Sequence, residues 1–413
     1  MKRICVVNVA GLSMRLLKRR TDLWINSLAA APRAMRPTLP AVPASVQASM
    51  TTGRRPGAHG VVAGGVFRRE SRKLSFAEHS NTLLSKKRFW HARDLPAQPN
   101  VALVFWSNPL AGAGDVVLGA PAYGRPCGAM RCHPVGLDEE VAGRCGEFDG
   151  AAFAGPDASF AVSGWIACAA GEVWKSHKPD LEWVYLPGID FELVRGGLSA
   201  REVAEAVGAL DGFVGHLAET VRAGGGQVVV VSDGGYVDVS RAVFPNVRLR
   251  DAGLLATTES DEGVSADPAN SRAFAMVDHQ FAHLYCVDER AAAEAADALA
   301  DLDGIETILP RQEVFCEGLG HDRAGERVMI AEADAWFAHR CRADRPSPAA
   351  CGYDPCELLA GGDESRIRAS RGRTDTSPDD ACVLAATCPL ETPGDRDLSV
   401  TDLPELLRAL MFG

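Results

Sequence analysis

Short runs of apolar residues recur along the chain, and segments with a helical pattern separate many of them. Runs of this kind are typical of strands that are buried on both faces of a parallel sheet. The sequence predicts such strands at residues 4–9, 101–106, 183–186, 227–231, 274–277, 284–287 and 327–330.

The strongest helical pattern covers residues 200–222, where the apolar positions lie three and four residues apart. The run Gly224-Gly225-Gly226 ends it. Further helices are predicted at 289–299 and 402–410. Strand, helix and strand in this order indicate right-handed βαβ units. We therefore predict an α/β fold with a mostly parallel central sheet and helices on both faces.

The chain divides by composition into a core and two looser segments. Residues 1–110 and 173–342 carry the strand and helix patterns and are predicted to form the α/β core. Residues 111–172 are rich in Gly, Ala and Cys without strong periodicity, which predicts a loop-rich cap or insertion. Residues 343–413 form a loose C-terminal segment that is predicted to return to the core with a terminal helix.

Composition narrows the classes of function. The chain has 413 residues, of which 46% are apolar and 23% charged, as in a globular protein with a sizeable core. A net charge of -11 argues against a nucleic-acid partner or an anionic membrane surface. We find no apolar run of about 18 residues, so no transmembrane helix is predicted. Composition does not indicate an oligomeric state.

The 12 cysteines form no Cys-x-x-Cys pair, which argues against a structural zinc site. A chain of this length does not need a disulfide framework. We therefore predict free thiols in a reducing compartment and a cytoplasmic location.

One segment resembles a known family. Thr52-Gly53 followed by Pro56-Gly57-Ala58-His59-Gly60 has the order and spacing of the nucleophile segment of the type I phosphodiesterase / nucleotide pyrophosphatase family. That family belongs to the alkaline phosphatase superfamily. The resemblance implies an alkaline-phosphatase-like core and metal-dependent hydrolysis of phosphate diesters or nucleotide pyrophosphates. It also implies zinc as the cofactor and a small phosphate-containing molecule or nucleotide as the partner.

The resemblance also suggests which residues would form the site. Asp190 and Asp233 follow predicted strands and match metal-binding carboxylates, and Asn8 stands where the first strand would present another. Arg371 matches the position of a histidine near the C-terminus and is a candidate phosphate ligand. His321 is a second candidate for substrate contact, or otherwise part of an exposed polar loop.

Several positions depart from the family pattern. The nucleophile position is Pro43, which has no hydroxyl, and the nearest substitutes, Ser45 and Thr38, are out of register. Gly64 stands where an asparagine would bind phosphate, and Val194 and Gly234 stand where histidines would bind metal.

Two hypotheses therefore remain open. The chain is either a metal-dependent hydrolase or a catalytically degenerate member that binds a ligand or a partner. Two carboxylates without imidazole partners would suit a hard cation better than zinc, if a metal is bound at all. His59 is predicted to be structural.

Overall fold

The computed structural model describes residues 1–76, 78–121, 128–261, 263–342, 355–359, 362–391 and 397–413. The strands are, in chain order, β1 (Ile4–Val9), β2 (Ala30–Arg36), β3 (Val66–Arg68), β4 (Lys73–Ser75), β5 (Val101–Val104), β6 (Val116–Gly119), β7 (Arg131–His133), β8 (Leu181–Leu186), β9 (Gln227–Val231), β10 (Val237–Asp238), β11 (Arg241–Val243), β12 (Thr257–Ser260), β13 (Gly263–Ala266), β14 (Ala273–Asp278), β15 (Phe281–Cys286), β16 (Ile305–Pro310), β17 (Arg327–Ala331), β18 (Ala335–Phe337), β19 (Ala369–Ser370), β20 (Cys382–Ala386) and β21 (Leu398–Ser399).

The α-helices are, in chain order, α1 (Met14–Arg19), α2 (Pro43–Thr52), α3 (Pro56–His59), α4 (Leu137–Cys145), α5 (Gly150–Phe153), α6 (Ala161–His177), α7 (Gly188–Gly196), α8 (Arg201–Ala223), α9 (Pro245–Asp251), α10 (Glu289–Leu299), α11 (Arg311–Cys316) and α12 (Leu403–Phe412). Short 3-10 helices lie at Trp24–Ser27, Asn81–Leu83, Phe89–His91, Pro355–Leu358, Glu364–Arg366, Pro378–Asp380 and Val400–Asp402.

A sheet of nine described strands forms the centre of the molecule, in the order β21-β2-β20-β9-β1-β8-β5-β6-β7. The five strands from β9 to β6 are parallel to one another. Antiparallel β20 and β7 border them on either side. The predicted α/β fold with a mostly parallel central sheet is confirmed.

Alternate residues of β1 enter two hydrophobic clusters on opposite faces of this sheet. Cys5, Val7 and Val9 pack with α6, α7 and α8, whereas Ile4 and Val6 pack with α2 and α12. A strand whose side chains are apolar on both faces requires helices on both faces. Asn8 shares the face of Ile4 and Val6 and is the polar exception near the end of this strand.

The predicted strands at 274–277, 284–287 and 327–330 belong to a separate antiparallel sheet, in the order β14-β15-β17-β16. Their apolar character gave no sign of this, because a buried strand has the same composition in either kind of sheet. Two residues, His279 and Gln280, connect β14 to β15, and so short a connection joins only antiparallel strands. Helices α9 and α10 cover this second sheet.

The segment 111–172 has more regular structure than its sequence pattern indicated. Strands β6 and β7 extend the central sheet, and α6 packs into the main core through small and apolar residues. Cys145 at the end of α4 and Cys168 in α6 form a disulfide, with their Cα atoms 6.0 Å apart. The prediction of free thiols is therefore wrong for this pair, because packing of the two helices, rather than sequence spacing, brings them together.

In the C-terminal segment, residues 343–354, 360, 361 and 392–396 lie outside the described residues. The predicted terminal helix is present as α12 and packs against α2. Across the described residues, no helix combines the length and apolar character needed to span a bilayer.

Candidate functional site

Three of the predicted metal ligands meet at the carboxyl ends of adjacent parallel strands. Strand β1 lies between β8 and β9, and Asn8 is near its end. Asp190 lies in the first turn of α7, which follows β8, and Asp233 lies two residues beyond β9. In open α/β sheets this edge gathers the residues of a binding site.

The Arg371 guanidinium lies between the two carboxyl groups. Its Nη2 is 2.8 Å from Asp190 Oδ2, and its Nη1 is 3.5 Å from Asp233 Oδ1. Asn8 Nδ2 donates a hydrogen bond of 3.3 Å to Asp233 Oδ2. Because Arg371 is only 6% exposed and both aspartates are buried, solvent screens these ion pairs weakly.

The surroundings shift the pKa values of the charged groups in this cluster. Burial raises the pKa of Asp190 and of Asp233, and the nearby Arg371 charge opposes both shifts. Burial would lower the pKa of Arg371, but Asp190, Tyr236 and Asp233 hold it well above its ordinary value. Arg371 is therefore a permanent positive charge, and its Cζ lies 5.0 Å from the centre of the Tyr236 ring.

Gly11 permits the backbone to pass directly beside Asp190. Its φ is +73°, and a Cβ placed there would lie 2.7 Å from Asp190 Oδ1. Any other residue would displace the carboxyl group and strain the backbone.

The residues in this cluster do not fit a pair of zinc ions. Arg371 already forms ion pairs with both carboxyl groups, and Asn8 directs an N–H group rather than an oxygen toward Asp233. In the part of the chain that the structure describes, no three His, Cys, Asp or Glu side chains form a group able to hold a metal ion. Tetrahedral zinc needs at least three such protein ligands.

The first residue of α2 is Pro43, so the position of the expected nucleophile has no hydroxyl. Ser45 Oγ donates a hydrogen bond of 2.9 Å to the carbonyl of Val61. Thr38 Oγ1 lies 3.0 Å from Ser49 Oγ. Both substitute hydroxyls are buried and engaged in hydrogen bonds that hold α2 in place.

The hydrogen bonds of His59 agree with a structural role. Its Nδ1 accepts from the Val61 backbone N–H at 3.1 Å, so the ring proton is on Nε2. Nε2 then donates to Ser49 Oγ at 2.9 Å. Burial lowers the pKa of His59 to about 3, which keeps the ring neutral. In this tautomer His59 cannot accept a proton from Ser49.

The end of β14 and the connection to β15 bring two further polar residues to the site. Asp278 Oδ2 accepts a hydrogen bond of 2.8 Å from the Gly64 backbone N–H. Burial raises the pKa of Asp278 to about 6, against the effects of Gly64 and Arg371. His279 has a φ of +60°, an uncommon conformation for a residue other than glycine. Burial and the Arg371 charge lower its pKa well below the ordinary value, so it is neutral.

Several of these residues line one pocket. Its polar wall includes Asp190, Asp278, His279 and Arg371, and the start of α2 and the backbone at Gly64 form a further side. The remainder is largely apolar and aromatic, with Phe105, Trp106, Phe153, Tyr185, Phe191 and Tyr236. Val194, in a family histidine position, also lines it. Among the residues around this pocket, sequence analysis did not single out Tyr236, although it follows directly after the Asp233 turn.

His321 lies away from this pocket. Its Nε2 is 3.2 Å from Ser85 Oγ, and its Nδ1 accepts from the Arg323 backbone N–H at 3.1 Å. The structure therefore brings Asn8, Asp190, Asp233 and Arg371 into one cluster. Asp190, Arg371 and Pro43 line the pocket, and His321 does not.

The sequence profile of the type I phosphodiesterase / nucleotide pyrophosphatase family matches residues 4–354. The chain belongs to that family. Membership indicates phosphodiesterase- or nucleotide pyrophosphatase-type hydrolysis as its class of function. A comparison with curated protein sequences found no match.

Two solved structures show the same fold. One is phosphonoacetate hydrolase from Sinorhizobium meliloti 1021, with a TM-score of 0.69, 15% identity, and coverage of 99% of this chain and 96% of the hydrolase. The other is murine ectonucleotide pyrophosphatase / phosphodiesterase 5, with a TM-score of 0.67, 14% identity, and coverage of 100% and 95%. The first was solved in complex with phosphonoformate, and an inactive form of the second in complex with AMP.

Proposed function

We propose that the pocket binds a small molecule with a phosphate or phosphonate group, and that this group lies between Arg371 and the start of α2. The observation that supports this proposal is that part of the Arg371 guanidinium lacks hydrogen-bond partners. Nε and Nη1 of Arg371 are buried and have no hydrogen-bond partner among the described residues. The 3.5 Å contact of Nη1 with Asp233 is an ion pair without a hydrogen bond. An anionic ligand would supply the missing acceptors.

Helix α2 supports this placement. Its first two residues, Pro43 and Ala44, line the pocket, so its positive end faces the same space as Arg371. The aromatic wall suits the less polar part of a ligand. AMP and phosphonoacetate bind to proteins of this fold, and we propose ligands of these two kinds for this chain.

Hydrolysis of such a ligand is the function that family membership indicates. A catalytically degenerate binding protein is the second candidate. The observation that favours it is Pro43 at the nucleophile position, because the hydroxyls of Ser45 and Thr38 are engaged in other hydrogen bonds. The two candidates share the binding step and differ only in turnover.

Calorimetry with AMP, phosphonoacetate and an aryl phosphodiester tests the binding step, in buffer with a chelator so that metal contributes nothing. Replacing Arg371 by Met is expected to weaken binding about ten- to a hundredfold, since a hydrogen bond to a charged group contributes about 1.5–3 kcal/mol. Arg366→Ala removes an exposed guanidinium five residues away and should leave binding unchanged. No binding of any ligand, or equal binding by Arg371→Met, would rule out the proposal.

Turnover of the aryl phosphodiester separates the two candidates. Release of the aryl alcohol that is lost in Asp278→Asn but retained in Arg366→Ala would establish hydrolysis in this pocket. Binding without release, in assays supplied with Zn²⁺, Mn²⁺ or Mg²⁺ and at chain concentrations that would detect one turnover, would establish the degenerate member. A Pro43→Thr variant measured alongside shows whether restoring the hydroxyl alone restores turnover.

Affinity for an anionic ligand is expected to fall as pH rises above about 6. Below the Asp278 pKa of about 6 its carboxyl group is neutral in both free and bound protein. Above that pH the Asp278 carboxyl group of the free protein is ionised. An anion then binds only if Asp278 takes up a proton again, which weakens binding by up to about tenfold per pH unit. A phosphodiester is the appropriate probe because it does not titrate in this range.

Asp278→Asn is the matched control for this pH dependence. It keeps an oxygen that can accept from the Gly64 N–H but cannot ionise. The variant should bind the diester more tightly than the wild type at pH 8 and show a flatter profile. Identical profiles for the two proteins would show that Asp278 does not face the bound anion.

A further inference from the structure

We infer that the Arg371 side chain takes the place of a metal ion in this pocket, and that its removal opens a site for one hard divalent cation. The inference concerns the cluster of Asn8, Asp190, Asp233 and Arg371. It does not depend on which ligand the pocket binds, and a different measurement tests it.

The first argument is charge. Asp190 and Asp233 bring two carboxyl groups together in the buried interior, which is favourable only with a nearby positive charge. In many sites a bound cation provides that charge. Here a guanidinium provides it, with Nη2 at 2.8 Å from Asp190 and Nη1 at 3.5 Å from Asp233. A divalent ion in contact with both carboxyl groups would also face the fixed charge of Arg371.

The second argument is a set of oxygens that accept no hydrogen bond within the described part of the chain, although Asp233 Oδ1 faces the Arg371 charge at 3.5 Å. Asn8 Oδ1, Asp190 Oδ1 and Asp233 Oδ1 are all buried, and none has a hydrogen-bond partner among the described residues. One amide and two carboxyl groups are an all-oxygen donor set, which suits Mg²⁺ or Mn²⁺ rather than zinc. Without Arg371, the side chains that it now neutralises would be a hydrated cation's protein ligands.

The experiment compares Mn²⁺ binding by the wild type, Arg371→Gln and Arg371→Lys, each stripped with a chelator and then freed of it. Electron paramagnetic resonance counts bound Mn²⁺, and thermal unfolding with and without Mn²⁺ gives an independent readout. We expect no stoichiometric Mn²⁺ on the wild type or on Arg371→Lys, which keeps the positive charge. Arg371→Gln should bind one Mn²⁺ per chain, at least about a hundredfold more tightly than the wild type, and its melting temperature should rise with Mn²⁺.

Three results would overturn the inference. The first is one Mn²⁺ or Zn²⁺ per wild-type chain that is lost in Asp190→Asn, because Arg371 would then coexist with a metal. The second is a folded Arg371→Gln chain that binds no Mn²⁺. The third is Mn²⁺ bound to Arg371→Gln that remains in the Arg371→Gln/Asp190→Asn double variant, because the ion would then lie elsewhere.

If Arg371→Gln does not fold in the presence of chelator, refolding with Mn²⁺ tests whether removal of Arg371 opens a cation site. Recovery of the folded state with Mn²⁺ but not with the same concentration of Na⁺ supports the opened cation site, and no recovery with either contradicts it. The wild-type measurement tests whether Arg371 takes the place of a metal ion, and its result does not depend on whether the variant folds.

Discussion

Replacing Glu182 with Gln is expected to remove a pH-dependent loss of stability of about 5 kcal/mol. Glu182 lies in β8, fully buried between Cys5 of β1 and Ala102 of β5. Neither carboxyl oxygen has a well-formed hydrogen bond within the described residues, and the Cys5 thiol opposite is a weak donor. Burial raises the pKa of Glu182 from 4.5 to about 8.

The direction of the pH effect follows from proton binding. Between pH 4.5 and about 8 the unfolded chain has lost the Glu182 proton while the folded chain retains it, so unfolding becomes easier as pH rises. The contribution of Glu182 is complete below pH 4.5 and is lost across these roughly 3.5 pH units, at about 1.4 kcal/mol per unit. A glutamine side chain cannot ionise, so Glu182→Gln loses this slope.

Urea unfolding of both proteins at intervals from pH 5 to pH 9 measures this difference. The wild type and Glu182→Gln should be similar near pH 5 and diverge steadily, with the variant the more stable at pH 8. Subtracting the two curves cancels the other buried acids, which both proteins share. Parallel curves would show that Glu182 has an ordinary pKa or a partner for its charge. Glu182→Met, which removes the polar group in a similar shape, should be stabilised at the same pH values.

Replacing Arg88 with Met is expected to lower the free energy of unfolding by about 3–4 kcal/mol. Arg88 is 2% exposed. Its guanidinium donates to Thr51 Oγ1 at 3.0 Å, to Asn81 Oδ1 at 3.0 Å, and to the carbonyls of Ser107 and Asn108 at 2.9 Å each. Burial lowers the pKa of Arg88 to about 9, so its desolvation offsets part of these bonds. Met would leave these four acceptors without a donor. Each unpaired acceptor costs about 1–3 kcal/mol of stability, and the avoided desolvation of Arg88 offsets part of the total.

The same substitution should weaken ligand binding, because Ser107 and Asn108 line the pocket and Arg88 holds both of their carbonyls. Arg88→Lys should lie between wild type and Met, since an ammonium group cannot span four acceptors as a planar guanidinium does. Arg93→Met, at an exposed position nearby, should change stability by less than about 0.5 kcal/mol. A destabilisation by Arg88→Met no larger than that of Arg93→Met would contradict the anchoring role.

Sequence patterns predicted four of the five parallel strands, β1, β5, β8 and β9, and the long helix α8 closely, because these depend on local periodicity, but they missed β6. The family resemblance, rather than periodicity, singled out Asn8, Asp190 and Asp233, and the structure brings these side chains into one cluster. The resemblance also placed Arg371 at this site, but the sequence could not show that its guanidinium, which follows the distant β19, lies between the two carboxyl groups. The pairing of Cys145 with Cys168 likewise depends on how α4 packs against α6.

Other residues have roles in the structure that the local sequence does not indicate. Arg88 lies in an ordinary polar stretch, and only the tertiary structure surrounds it with four acceptors. Glu182 interrupts an apolar strand by one residue, and the sequence does not reveal that both neighbouring strands bury it. Local periodicity could not show that Asp278 and His279 face the pocket, because the second sheet carries them there.

The position of Arg371 in the chain has a consequence for the order of folding. Strands β1, β8 and β9 are complete long before the ribosome reaches residue 371, and their ends would hold Asp190 and Asp233 together without a counter-ion. Burying that pair is unfavourable until the guanidinium arrives. A chain that stops before β19 is therefore expected to leave this edge of the sheet open and accessible to proteases.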